Sequence, residues 1–140
     1  MKKNIILLVL LCMLSCQKDS VNNSNQYISN VNFSIDINKT LPAYNKLNYA
    51  GEPVLISIPG AGIQGIIVMK TGGGDSYVAW EASCPIQYPT SCSKLSLEGA
   101  KATCSCDKTS YNIFTGDGGQ QYPLKGYRIE VNNSVIRVYN

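Results

Sequence analysis

The chain has 140 residues, 44% of them hydrophobic, with 12 Lys+Arg against 9 Asp+Glu. It holds six cysteines and nine tyrosines but no histidine. The missing histidine excludes Ser-His-Asp and Cys-His catalysis, imidazole metal ligation and an imidazole proton shuttle, while length and apolar content fit one folded domain.

In chain order, Met1-Lys2-Lys3 is a basic start and residues 5–11 are an unbroken apolar run. That run is too short to span a bilayer and reads as the core of an export signal. Met13-Leu14-Ser15-Cys16 resembles the bacterial lipobox. The resemblance implies cleavage after residue 15 and acyl chains on Cys16, which would hold the protein on the outer or inner membrane of a bacterial cell envelope, periplasmic or surface-exposed. Cys12 fits the lipobox less well, because the residue before it, Leu11, is large. Cleavage removes Lys2 and Lys3, so most of the +3 charge belongs to the signal. No electrostatic case for nucleic-acid binding remains.

Residues 16–30 read as the lipidated cysteine and a flexible tether, polar and rich in Asn and Ser. The domain is expected over 31–140. Residues 31–37 alternate apolar and polar side chains, the period of a half-buried strand. Residues 41–47 suggest a short helical turn or an irregular link. Strands are expected at 54–58 and 65–70, the second (GIIVMK) apolar enough to be buried on both faces. The turn Thr71-Gly72-Gly73-Gly74-Asp75 returns the chain into 76–81. Residues 94–97 and 101–103 form a hairpin around Glu98-Gly99-Ala100. Residues 127–131 and 134–139 form another around Asn132-Asn133, where asparagine suits the positive φ of a type I′ turn. The expected fold class is all-β: a small antiparallel sandwich or partly open barrel.

Cys84, Cys92, Cys104 and Cys106 fall within one short stretch. In an exported chain such a cluster points to disulfides, and its spacings depart from the paired cysteines of zinc sites. The stretch resembles the Rieske iron–sulfur motif, a C-x-H element and a C-x-x-H element on two loops tied by an extra disulfide. Cys84-Pro85-Ile86 stands in the first element, Cys104-Ser105-Cys106-Asp107 in the second, and residues 87–103 match the spacer in length. Gly51-Glu52-Pro53-Val54, the approach to Cys84 from Tyr77, and Ser110-Tyr111-Asn112-Ile113-Phe114 resemble the family's flanking strands. Lys108-Thr109 replaces the usual Gly-Ser, and Gly119 stands where the family's third loop normally has proline.

The resemblance implies a Rieske-like domain with a two-loop cluster-binding subdomain. It places Cys84 and Cys104 at the cluster cysteines and Ile86 and Asp107 at the two cluster histidines. It implies a Cys92–Cys106 disulfide between the loops. A [2Fe–2S] centre of this type needs two cysteines on one iron and two histidines on the other. Ile86 has no donor atom, and a carboxylate such as Asp107 is a harder ligand than imidazole. No cofactor is therefore expected. Cys84 and Cys104, which share one iron in the family, would then stand close enough for a second disulfide. Three readings follow: a lipid-anchored, non-catalytic binding or structural module with an unidentified envelope partner; a [2Fe–2S] electron-transfer protein with an atypical ligand set; or a thiol–disulfide protein using Cys84 and Cys104. The residues favour the first.

Other features read plainly. Trp80 and most tyrosines pack a small core with polar tips at its edge. The alternative for Tyr88, Tyr111 and Tyr122, near the loop tips, is an exposed binding surface. Gly60, Gly62 and Gly65 have dinucleotide-motif spacing without a following helix, so that reading fails. Glu81, on a strand, reads as a solvated edge residue.

Overall fold

The structure is a computed structural model, and it describes residues 24–140. The expected signal, the lipidation site Cys16 and the first part of the tether lie outside the described residues. Among the described residues nine strands and one 3-10 helix follow in order: β1 (Ser34–Asn38), the helix (Pro42–Asn48), β2 (Pro53–Ile56), β3 (Ile66–Lys70), β4 (Tyr77–Glu81), β5 (Leu95–Glu98), β6 (Lys101–Cys104), β7 (Ser110–Asn112), β8 (Arg128–Asn132) and β9 (Val135–Tyr139). They form three antiparallel sheets, ordered β1-β9-β8, β2-β3-β4 and β5-β6-β7. The all-β class expected from the sequence holds. Pro42 opens the helix, where a missing N–H costs nothing.

Two hydrophobic cores are built on opposite faces of β3. Alternation along a strand sends successive side chains to opposite sides. Ile66 and Val68 join Ile37, Leu47, Ile56, Ala79 and Ile136 in the first core. Ile67 and Met69 join Ala82, Leu95, Ala102, Ile113 and Leu124 in the second. The four residues 66–69 are fully buried, as their uninterrupted apolar run required.

Turn chemistry explains two connections. In the β5–β6 hairpin Glu98 pairs with Lys101, and Gly99 takes φ +58 at the first turn position, where a side chain would be strained. The β8–β9 turn differs from expectation. Asn132 pairs with Val135, so the turn residues are Asn133 and Ser134. Only Asn133 has positive φ (+54), so the type I′ turn centred on Asn132-Asn133 does not form.

The tether also differs from expectation in its second half. Ile28 is fully buried. The Asn25 carboxamide donates to the Pro85 carbonyl (2.7 Å), and Lys125 Nζ donates to the Ser29 carbonyl (2.8 Å) and to Asn30 Oδ1 (2.6 Å). Local polarity suggests a linker, yet one buried aliphatic residue and three hydrogen bonds, two of them to backbone carbonyls, bind this segment to the domain.

Glu81 is the clearest correction. It is fully buried, at the same strand parity as the core residue Ala79. Its Oε2 accepts from the Ile63 amide (2.8 Å) and the Tyr127 hydroxyl (2.6 Å). Its Oε1 accepts from the Gln64 amide (3.0 Å), the Ser83 amide (3.1 Å) and the Ser83 hydroxyl (2.9 Å). A buried carboxylate survives only when its lone pairs are taken up in this way. Gly62, with φ +64, lets the 60–65 loop close on it; a Cβ there would lie 2.6 Å from Oε2. Of the three glycines with dinucleotide-motif spacing, Gly62 serves this contact, while Gly65 packs against Ile56 and Ser57.

Candidate functional site

β4 delivers the first cysteine loop. The Cys84 amide donates to the Ser93 carbonyl (2.7 Å) and the Leu95 amide to the Ala82 carbonyl (2.7 Å), closing the loop at its base. Ser93 Oγ accepts from the Thr90 amide (2.7 Å) and pins the outer half. The second loop follows β6. The Cys104 amide donates to the Thr109 carbonyl (2.8 Å) and the Lys108 amide to the Cys104 carbonyl (2.9 Å). Asp107 Oδ1 accepts from the Thr109 amide (2.9 Å), which commits that exposed carboxylate to holding its own turn.

Two disulfides join the loops. Cys84 is bonded to Cys104, with Cα atoms 5.7 Å apart. Cys92 is bonded to Cys106, with Cα atoms 5.1 Å apart. Their surroundings differ. Cys84 and Cys104 are both fully buried, part of the second core with Ile67, Met69 and Leu95. Cys92 and Cys106 are exposed, and the Thr90 hydroxyl lies 3.6 Å and 3.9 Å from their sulfurs. Gln87 Nε2 reaches Cys104 Sγ at 3.5 Å.

Ile86 is half-buried in the first loop and Asp107 exposed in the second. These residues do not fit a [2Fe–2S] group. Ile86 offers no lone pair, Asp107 is held by its turn, and the two cysteine sulfurs are spent on each other. Among the described residues no group of three or more His, Cys, Asp or Glu side chains is placed to hold a metal ion.

Two loop residues named above, Lys108 and Gly119, both have positive φ. Lys108 has φ +63, a left-handed conformation that glycine adopts without strain. Lys108→Gly should therefore raise stability by about 0.5 kcal/mol, the relief of strain outweighing the added freedom of the unfolded chain. A lower Tm in a thermal scan would contradict this. Gly119 has φ +66, which proline cannot reach, so this third loop takes a different path from one carrying proline there.

The core beneath the loops holds an unsatisfied group. Tyr111 is fully buried, in line with the core reading of the tyrosines and against the alternative that groups it with an exposed surface. Its ring packs against Gly118, where any side chain would collide with it. Its hydroxyl has no hydrogen-bond partner among the described residues. Burial, and then the charge of Asp107, push its pKa up to about 12. An orphaned buried hydroxyl costs about 1 to 3 kcal/mol. Tyr111→Phe should accordingly stabilise the protein by about 1 kcal/mol, measured by its denaturant midpoint; a loss would mean that the hydroxyl is satisfied.

Tyr27 takes the place that Tyr111 leaves. Its ring meets Tyr88 edge-on at 5.3 Å and Tyr122 at 6.0 Å. Tyr27 went unnoticed because it lies in a segment whose composition reads as linker. The Ile28 beside it, the one isoleucine of that stretch, is the available signal.

No protein-family model matches the chain, and no curated protein does. Among solved structures it is similar to the ferredoxin of carbazole 1,9a-dioxygenase from Nocardioides aromaticivorans IC177, with 19% identity over 66% of this chain and 90% of that one, TM-score 0.42. A chain in a complex of reduced oxygenase and oxidized ferredoxin in carbazole 1,9a-dioxygenase gives 22% identity over 64% of this chain and 82% of that one, TM-score 0.43. The terminal oxygenase of carbazole 1,9a-dioxygenase from Novosphingobium sp. KA1 gives 12% identity over 77% of this chain and 30% of that one, TM-score 0.47. Function is therefore read from this chain's own side chains.

Proposed function

We propose that this chain is a lipid-anchored bacterial envelope protein with a Rieske-like domain that carries no cluster and acts as a non-catalytic binding or structural module. The Cys84–Cys104 disulfide carries this reading. At the positions where the family's cysteines hold iron, the two sulfurs are bonded to each other and fully buried. Burial also argues against thiol–disulfide exchange there, which requires an attacking thiolate to reach a sulfur. A lipobox-like Cys16 supports the anchor.

The test is iron, acid-labile sulfide and thiol analysis of the full chain purified without oxygen. The expected result is no iron, no sulfide and no free thiol at Cys84, Cys92, Cys104 or Cys106 after denaturation. Stoichiometric iron with visible absorption would overturn the proposal in favour of electron transfer. Free thiols at Cys84 and Cys104 without iron would favour the thiol–disulfide reading.

A further inference from the structure

Tyr27, Tyr88 and Tyr122 come from three separate stretches of chain and meet beside the disulfide loops. The middle ring is held firmly. Asn25 Oδ1 accepts from the amides of Tyr27 (2.8 Å) and Ile28 (3.2 Å), and its Nδ2 donates to the Pro85 carbonyl in the first loop. The outer ring, Tyr88, remains 65% exposed. Neither core needs it, and neither disulfide does.

The position of this patch relative to the expected anchor is informative. Nine peptide steps separate Cys16 from Asn25, a reach of at most about 30 Å. The end of the domain that carries the tyrosines is therefore the end the lipid would hold nearest the bilayer.

We propose that Tyr27, Tyr88 and Tyr122 form the face that the domain lays on the phospholipid headgroup layer, turning the disulfide loops toward the membrane. This rests on the lipid-anchor reading above. Tyrosine suits such a layer because its ring is apolar and its hydroxyl wet. A tether this short gives the patch an effective concentration in the millimolar range, so weak contacts suffice to orient the domain. The area also favours lipid over protein. A fully buried tyrosine covers about 150 to 250 Å², and two of these three are already half-buried. What remains is on the order of 300 Å², well below the roughly 800 Å² per partner of a stable protein interface.

The experiment uses the full lipidated chain in vesicles of phosphatidylethanolamine and phosphatidylglycerol, with and without bromine-substituted acyl chains. Tyr88→Trp places a second indole on the patch, and the unsubstituted chain with its single Trp80 supplies the background. Tyr122→Trp is a second reporter should the first variant misfold. The expected result is a blue shift and a bromine-dependent loss of emission beyond that of Trp80, diminished when Tyr27→Ser is added. Acylated Cys16 with no such loss overturns this inference alone. So does protection of position 88 that appears only when envelope proteins are added. Unacylated Cys16, read from the mass of the N-terminal peptide, overturns the anchor reading and this inference with it.

Discussion

Replacing Cys84 and Cys104 together by alanine should lower stability by roughly 3 to 5 kcal/mol, read from urea unfolding. The sequence separation is 20, and closing a loop of that size removes roughly 3 kcal/mol of chain entropy from the unfolded state. The rest comes from packing. Both sulfurs are fully buried in the second core, and their loss leaves space that the short loops cannot fill. The exposed pair gives the comparison. Its sequence separation is 14, so Cys92→Ser with Cys106→Ser should cost roughly 3 kcal/mol by the same entropy, without the packing loss. The buried pair should exceed the exposed one by about 1 kcal/mol. Equal losses would refute a packing role for Cys84–Cys104. Under mild reductant the exposed pair should open first, because access governs thiol attack. Thiol alkylation followed by peptide mass analysis reads that order.

Glu81→Gln should cost about 3 to 5 kcal/mol although it changes neither length nor shape. Five hydrogen bonds end on the two carboxylate oxygens. An amide keeps one acceptor and turns an N–H₂ toward groups that themselves donate, leaving buried donors unpaired. The charge matters as well. Burial pulls the pKa of Lys125 down, and the nearby Glu81 carboxylate opposes that pull. The Tyr127 hydroxyl is held protonated by its own burial and by the charge and hydrogen bond of Glu81. Removing the negative charge leaves the Lys125 ammonium buried with, among the described residues, the Ser29 carbonyl and the Asn30 side chain as its hydrogen-bond acceptors. A cost below about 1 kcal/mol, measured by the shift in urea midpoint, would mean that the carboxylate does not organise the 60–65 loop.

The parts legible in the sequence share one property: neighbouring residues determine them. The apolar run of β3 required burial on both faces, and the hairpins carried turn residues at their tips. The cysteine loops could be placed because cysteine is scarce and its spacing informative. Glu81 was not legible for the opposite reason. Its partners are mostly backbone amides, two of them 17 and 18 residues away in the 60–65 loop, and the Tyr127 hydroxyl lies 46 residues away. Backbone donors leave no trace in residue identity. Only the strand parity it shares with Ala79 hinted at an inward direction. Two readings of Tyr111 stay open in the sequence because tyrosine is common both at surfaces and in cores, and its three-residue strand is too short to show a period. The binding of Asn25 and Ile28 is not legible because two aliphatic residues, Val21 and Ile28, among so many Asn and Ser do not alter a composition.

β3 has a consequence for how the molecule comes apart. Its side chains alternate between the two cores, so neither core can dissolve while the strand stays in place, and neither persists once it leaves. The loop-bearing half is thereby denied an unfolding transition of its own. In amide hydrogen exchange the N–H groups of Ile66 to Met69 should open only with the whole domain, and they should report one free energy for both halves.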